Sequence, residues 1–471
     1  MAVISSPTYD PQTTATNLAN AYVAPTKANL DARNAQATAT VSALTTLGSA
    51  LSAFQSSIQS LVTGTASVSA AAATSSNTAI ATGTASANAV AGTYSFYVEQ
   101  LATAGQVSYN VNDSAATNAG SLKVMLADGS NFQVDLANAD SNMDGKLSAK
   151  EIAAAINVAA TNNSRVTAST MTVNGQTKLV MTSTQTGADN AVASIDVSGL
   201  ADAGLQSDLS TQKVESVAKD AIVWMGDQNT GTKVTQASNT FTTIDNVKFT
   251  VKQAQTAGAT PVQLTIGPDN SATTANVQAF VDAYNKLLGV FKTVTAAGDH
   301  TPTSPTDSTP RSSDAALHGD SGVAALQAAL NSALRAVTGG KSLISFGITA
   351  ARDGSLSLDA ARLQKTVAAD PGKIDTLFGR AGLAADAGVL GKMNKLVTTW
   401  TNSATGLIGS RKTAAGKVQD DVAKRQIALQ NQFDNSYKRY LAQFSALQQL
   451  QASMTSTSNM FTAMFSPSSN N

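Results

Sequence analysis

The side chains best placed by type and spacing to do chemistry lie between residues 140 and 151. Asp140, Asn142, Asp144, Gly145 and Glu151 fit the pattern D-x-[DN]-x-[DN]-G-x5-E, in which a short loop wraps oxygen ligands around calcium. Asp140, Asn142 and Asp144 would give side-chain oxygens, Lys146 its backbone carbonyl, Ser148 a water-mediated contact and Glu151 a two-oxygen carboxylate, while Gly145 permits the sharp turn. The same residues support a second, compatible reading. Ser148 and Glu151, three positions apart, form a capping box for the helix that follows, and the Asp, Asn and Gly residues make the turn. Phe132 to Leu136 reads as a strand, so only half of a helix–loop–helix calcium site is present, and Lys146 and Lys150 offset part of the carboxylate charge. Any Ca2+ bound here is expected to bind weakly.

Other constellations are thinner. Gly339, Gly340, Lys341 and Ser342 resemble the end of a phosphate-binding loop, but Arg335 stands where that pattern needs its first glycine. His300 and His318 are the only imidazoles and sit in polar loop sequence, so a Ser-His-Asp or histidine–zinc site has little to draw on. Cysteine is absent, which removes disulfides, thiolate metal sites and a Cys nucleophile. Trp224 and Trp400 lie in apolar stretches and read as buried or interface residues. No catalytic constellation emerges, and the chain is not expected to be an enzyme.

The periodicity points instead to assembly. Leu44, Leu47, Leu51, Phe54, Ile58 and Leu61 recur at alternating steps of three and four, the seam of a coiled coil. Phe433, Tyr437, Tyr440, Phe444 and Leu447 repeat the alternation near the other end. Neither helix can bury its stripe alone, so the two are expected to pair with each other or with the same helices of neighbouring copies, bringing the termini together. Residues 1 to about 20, with Pro7 and Pro11, and residues 453 to 471 are polar and are expected to order only against a partner.

Between the helices the period changes to two. Tyr94, Phe96 and Val98, and later Val247, Phe249 and Val251, predict half-buried strands. From Leu122 the pattern runs strand, Asp128-Gly129 turn, strand, helix Lys150 to Ala160, then strands Thr167 to Val173 and Lys178 to Thr182 joined near Asn174-Gly175, a ββαββ unit. Helical texture returns in Val277 to Thr295, Val323 to Val337 and Leu356 to Phe378, interrupted by a Pro-rich loop from Asp299 to Arg311.

At 471 residues the chain has room for two to four domains. Charged residues are only 13%, and 31 basic side chains balance 31 acidic ones, which argues against nucleic-acid binding and suits close packing between copies. No run approaches the roughly 18 apolar residues that span a bilayer, and the first basic residue is Lys27, so neither membrane insertion nor a cleaved secretory signal is expected.

Five segments in order carry a family resemblance: LANAYVAPTKANLDARNAQATATVSALTTLGSALSAFQSSIQSL (18 to 61), GTYSFYVEQLATA (92 to 104), FVDAYNKLL (280 to 288), FGITAARDGSLSLD (346 to 359) and ADPGKIDTLFG (369 to 379). With them the chain resembles the filament-capping flagellar hook-associated protein 2 family over nearly its whole length, although it has Ser6-Pro7-Thr8-Tyr9-Asp10 where the family often starts Gly-Ser-Gly-Asp. The segment from about 120 to 200 also looks like an insertion shared by flagellins and hook-associated proteins.

The resemblance implies an α+β multidomain fold, with terminal coiled-coil helices and a helical leg domain into which two β-rich head domains are inserted. The divisions would be 1–45 with 420–471 (terminal), 46–85 with 275–419 (leg), 86–112 with 216–274 (head) and 113–215 (outer head). It implies export without a cleaved signal and a homo-oligomeric ring, commonly a pentamer, at the growing filament tip. Its partners would be flagellin, hook–filament junction proteins and an export chaperone, and no cofactor would be required. Leu47, Leu51, Phe54, Ile58 and Leu61, with Phe433, Tyr437, Tyr440, Phe444 and Leu447, would form the bundle facing the filament. Rival roles are a hook–filament junction protein and a tip adhesin binding host surfaces.

Overall fold

The computed structural model describes residues 10–62, 67–117, 119–299, 313–338, 340–370, 372–379 and 388–465. In chain order these form α1 (Pro11–Ser60), β1 (Ala71–Ser75), β2 (Ala81–Ala85), β3 (Gly92–Gln100), β4 (Gln106–Asn110), β5 (Ser114–Ala115), β6 (Ser121–Leu126), β7 (Asn131–Asp135) and β8 (Lys146–Leu147). There follow α2 (Ala149–Val158), β9 (Val166–Val173), β10 (Gln176–Ser183), β11 (Val192–Asp196), α3 (Ala203–Ser210), β12 (Lys213–Ser216), β13 (Ala221–Met225), β14 (Thr232–Gln236), β15 (Thr240–Phe241), β16 (Val247–Val251) and β17 (Val262–Pro268). The chain closes with α4 (Asn270–Val294), α5 (Ser321–Leu334), β18 (Ile348–Ala350), β19 (Leu356–Leu358), α6 (Ala360–Ala369), α7 (Lys373–Phe378), α8 (Gly388–Thr401) and α9 (Leu407–Phe465).

The described residues of Met1–Thr63 and Thr274–Asn471 make one compact unit and those of Gly64–Thr273 a second. The α+β architecture is as expected, but one expected boundary moves. Residues 71–85, placed by the sequence reading in the helical leg, are β1 and β2 of the second unit's largest sheet. Their Ala, Thr and Gly side chains carry too little apolar contrast to reveal a strand.

The helical unit is organised by α1 and α9. The Asp10 carboxylate caps the first turn of α1 by accepting from the Gln12 and Thr13 amides at 3.3 and 2.9 Å, with Pro11 at the first helical position, where its missing N–H costs nothing. Pro11 therefore starts a helix within residues 1 to about 20, which the sequence reading expects to order only against a partner. Val23, Leu30, Ala37, Leu44, Leu51 and Ile58, each seven residues from the next, are buried along α1. On α9 the buried residues Ile408, Ala415, Val422, Leu429 and Ser436 keep the same interval. Hydrogen bonds Gln419–Thr38 (2.9 Å), Gln426–Asp31 (3.3 Å) and Gln432–Tyr22 (3.2 Å) fix the two helices as antiparallel. Pro25 removes one helical hydrogen bond, yet α1 continues through it because Val23 and Leu30 on either side pack against Val422, Leu429 and Phe433.

The wider end of this unit is a helical core. Phe54 meets Tyr284 edge-on at 6.4 Å, Phe280 meets Phe378 at 5.3 Å, and the Gln55 amide donates to Asn394 and Thr398 of α8, both at 2.9 Å. Arg411 of α9 donates to both carboxylate oxygens of Asp320, the residue that caps α5, at 2.8 Å, and its guanidinium lies 5.1 Å above the Trp400 ring. Gly322 leaves room for this arrangement, since a Cβ there would lie 2.0 Å from the guanidinium and the arginine would have to shift. Among the described helices α1 alone is long and apolar enough by length and composition to cross a membrane. Its apolar stripe is instead turned onto α8 and α9. The region Leu356 to Phe378, expected to be helical, opens with the strand β19 paired to β18 before α6 begins.

The second unit holds two cores. One lies on the antiparallel eight-stranded sheet β14-β13-β3-β17-β1-β2-β16-β15, where Phe249 stacks on Phe96 at 4.7 Å and on Phe241 at 5.2 Å. The other gathers Leu122, Phe132, Leu147, Ile152, Leu179 and their neighbours between α2, α3, the sheet β11-β6-β7 and the sheet β12-β4-β10-β9. The predicted ββαββ order is present, but its two hairpins belong to different sheets. Thr103 and Lys219 pair where the chain passes between the cores, and Ala188 N–H donates to Asp220 at 2.9 Å.

Phe54 is 2% exposed, whereas Leu450, on the same class of stripe near the end of α9, is 56% exposed. Phe54→Ala is expected to destabilise the helical unit by about 3–5 kcal/mol in urea unfolding, and Leu450→Ala to stay within about 0.5 kcal/mol.

Candidate functional site

The residues expected to face the filament divide into two groups. Leu47, Leu51, Phe54, Ile58 and Leu61 are all buried inside the chain's own helical unit. Covered by α4, α8 and α9, they hold the unit together and offer nothing to another molecule, which corrects the expectation. Phe433 and Tyr437 are half-buried and stack on each other at 6.3 Å, and Tyr440 lies under the Arg439 guanidinium at 5.0 Å. Phe444 is half-buried and Leu447 exposed.

The exposed apolar surface lies further along. The hydrogen bonds between α1 and α9 put Pro11 opposite the stretch just before Leu447, so roughly the last five turns of α9 run past the start of α1. There the seven-residue repeat through Phe433 and Tyr440 continues as Leu447, Met454 and Phe461, with Leu450 and Met464 beside it. All five are exposed, and from Leu441 to Phe465 the helix carries no charged residue. The polar residues between them hide this stretch in the sequence; the continued interval of seven is the signal that finds it. Residues 453–465 are accordingly helical, where the sequence reading expects a disordered tail.

The 140–151 loop is closed by its own backbone. Asp140 accepts from the amides of Asp144 (3.2 Å) and Gly145 (3.0 Å), Asn142 from that of Asp144 (3.0 Å), and Asp144 from that of Lys146 (2.9 Å). The predicted capping box is formed: Ser148 Oγ accepts from the Glu151 amide, and Glu151 accepts from the Ser148 amide at 3.0 Å and hydroxyl at 2.8 Å. Its other oxygen accepts from the Ser141 amide at 2.9 Å. Bonds from the Ser148 amide first, then from the Ser148 hydroxyl and the Ser141 and Asn142 amides, hold the Glu151 carboxyl at about 2 against the opposing effect of burial. Lys146 and Ser148 turn the chain through β8 into α2. Among the described residues no group of three or more His, Cys, Asp or Glu is placed to hold a metal ion, and the loop's carboxylates are engaged by amides. The geometry is that of a folded turn and helix cap.

The remaining motifs are absorbed in the same way. Lys341 pairs with Asp370 at 3.2 Å and Ser342 caps the short turn Leu343–Phe346, while Gly339 lies outside the described residues. His318 Nδ1 is 3.0 Å from the Thr295 carbonyl, and His300 lies outside the described residues, as does most of the Pro-rich loop. Trp400 is buried beneath Arg411, and the Trp224 indole N–H donates to Glu99.

Comparisons with known proteins find matches along most of the chain. The family described as "Flagellar hook-associated protein 2 N-terminus" matches residues 8–105, and "Flagellar hook-associated protein 2 C-terminus" matches residues 218–456. The lateral flagellar hook-associated protein 2 of Vibrio parahaemolyticus is 31% identical over 376 residues, 79% of this chain and 80% of that one. The flagellar hook-associated protein 2 of Escherichia coli K12 is 30% identical over 446 residues, 92% and 91% of the two chains. A crystal structure titled as the D1-D2-D3 domains of the flagellar cap protein FliD from Escherichia coli aligns with TM-score 0.58 and 28% identity, covering 79% of this chain and 99% of that one.

Glu151 tests the loop assignment. Its folded pKa lies below the ordinary 4.5, so the stability it contributes is present above that pH and is lost as the pH falls toward 2. Glu151→Gln is expected to cost about 1–3 kcal/mol at neutral pH by leaving amides unpaired. It should also flatten the fall of the thermal midpoint between those two pH values.

Proposed function

This chain belongs to the flagellar hook-associated protein 2 family, and from that premise we propose that it caps the distal end of the flagellar filament, promoting ordered addition of exported flagellin and preventing its loss. The proposal includes a ring of copies at the tip, commonly five, export through the flagellar secretion channel aided by a chaperone, and contact with hook–filament junction proteins before flagellin arrives. Its role is structural and requires no cofactor.

One observation carries the reading: the antiparallel α1–α9 pair unites the two family-matched segments and ends in a charge-free helix with an uncovered apolar stripe. A cap must hold the filament end yet let each new subunit pass beneath it, so its contacts must be numerous, individually weak and exchangeable. Leu447, Leu450, Met454 and Phe461, with Phe444 at the start of the stripe, meet that requirement. Each side chain contributes roughly 1.5–3 kcal/mol when fully buried, before ordering costs. Without fixed charges the stripe can shift between equivalent apolar sites without breaking ion pairs.

A second activity, adhesion by the outer β-rich part, is favoured by one fact. Residues 106–217 lie outside both family matches, so no part of the family resemblance claims this region for assembly.

Deleting the gene should leave bare hooks and flagellin in the medium, restored by the full-length chain; normal filaments would sink the capping role. Leu450→Asp combined with Phe461→Asp should reproduce the leakage with an unchanged urea midpoint of the purified chain. Removing residues 105 to 215 separates the two activities: motility that survives with reduced surface attachment supports adhesion by this region.

A further inference from the structure

Strand β9 ends the sheet order β12-β4-β10-β9 and, among the described residues, pairs only with β10. Its hairpin turn fixes which backbone groups face outward. Asn174 and Gly175 both have positive φ (52° and 78°), the two-residue turn that sets Val173 opposite Gln176. The bonds of β9 to β10 therefore fall on residues 167, 169, 171 and 173, and the N–H and C=O groups of Val166, Ala168, Thr170 and Thr172 point away from the sheet.

The inner half of that edge is closed by two asparagines. Asn162 accepts from Val166 N–H at 3.0 Å and donates to its carbonyl at 2.8 Å. Asn157 does the same for Ala168, both bonds at 2.8 Å. Each side-chain amide imitates one residue of a neighbouring strand. The outward groups of Thr170 and Thr172 have no such partner among the described residues. Here β9 projects beyond the core, with Ser169 to Val173 exposed in succession. Edge strands are normally blunted by charge or proline, yet Val166 to Thr177 contains neither.

We propose that this open tip is a self-pairing site, where the same segment of a second copy adds antiparallel with Thr170 opposite Thr172 and Met171 opposite Met171. Two outward residues flanking a single inward one make the edge symmetric about Met171, so the pairing closes with four backbone hydrogen bonds. No like charges meet, because the segment has none. Met171 and Val173, 41% and 39% exposed on one face, supply apolar contact across the two-fold axis. The asparagines confine the pairing to the tip by occupying the rest of the edge. Such a contact is isologous and joins two copies only, distinct from the head-to-tail contacts that build a ring.

The cysteine-free chain allows a direct test. In full-length Met171→Cys, paired strands would hold the two thiols across a non-hydrogen-bonded position with Cα atoms about 4.5 Å apart, within disulfide reach. Under mild oxidation, crosslinking should be on the order of tenfold faster than for Val90→Cys, a control at a more exposed position (71%). Adding Thr172→Pro removes one outward donor where an edge strand tolerates proline, and should return the rate to the control value with an unchanged circular dichroism spectrum. Equal rates for the two cysteine variants, or a proline without effect, would overturn self-pairing and leave the edge to a partner such as flagellin or a host surface. Sedimentation of the same variants reads ring formation separately, so failure here is distinguishable from failure of the capping role.

Discussion

The structure of the helical unit depends on one constraint: α1, 50 residues long, and α9, 59 residues long, each carry an apolar stripe repeating every seven residues that neither can bury alone. Pairing them antiparallel satisfies both and sets the position of everything else in the unit. It brings α8 against the wide end of α1, where Gln55 meets Asn394 and Thr398. It presents Arg411 to Asp320, so the cap of α5 is tied to α9. Because α9 is the longer partner, the pairing also determines which apolar residues remain outside: those past the start of α1.

How much of this could be read from the sequence follows the contrast between neighbouring side chains. Leu44 to Leu61 announce their helix because large apolar residues alternate with Ser, Thr and Ala. The N-terminal half of α1 does not, since the buried positions there include Ala15, Ala19 and Ala37, and small residues mark close approach without marking a stripe. Strands β1 and β2 are silent for the same reason. The turns were legible through chemistry rather than hydropathy: Asn174-Gly175 demanded a tight hairpin, and Ser148 with Glu151 demanded a helix start. What the sequence could not supply was the partner of each stripe. Phe54 and Phe461 look equally apolar in isolation, and only the length and direction of the pairing make one a core residue and the other a surface one.

The β-rich unit solves a different problem, that of ending sheets in water. In the core that holds α2 the carboxylate of Glu151 and the amides of Asn157 and Asn162 do comparable work. Each substitutes a side chain for a missing stretch of backbone partner, at a helix start in the first case and along a strand edge in the others. In the 140–151 loop Asp140, Asn142 and Asp144, at alternate positions, pair successive amides of the turn in the same manner.

The antiparallel pairing also sets an order of events for a polypeptide that emerges N-terminus first, as it does during synthesis. Thr38 bonds to Gln419, and Val23 packs with Leu429, so the defining contacts join segments separated by most of the chain. Closing so large a loop contributes no stabilisation until the last helix has emerged. The β-rich middle can condense as it leaves, but α1 must wait with its stripe unsatisfied. The molecule's two ends thus act as a completion signal: the long rod exists only once the whole chain is out.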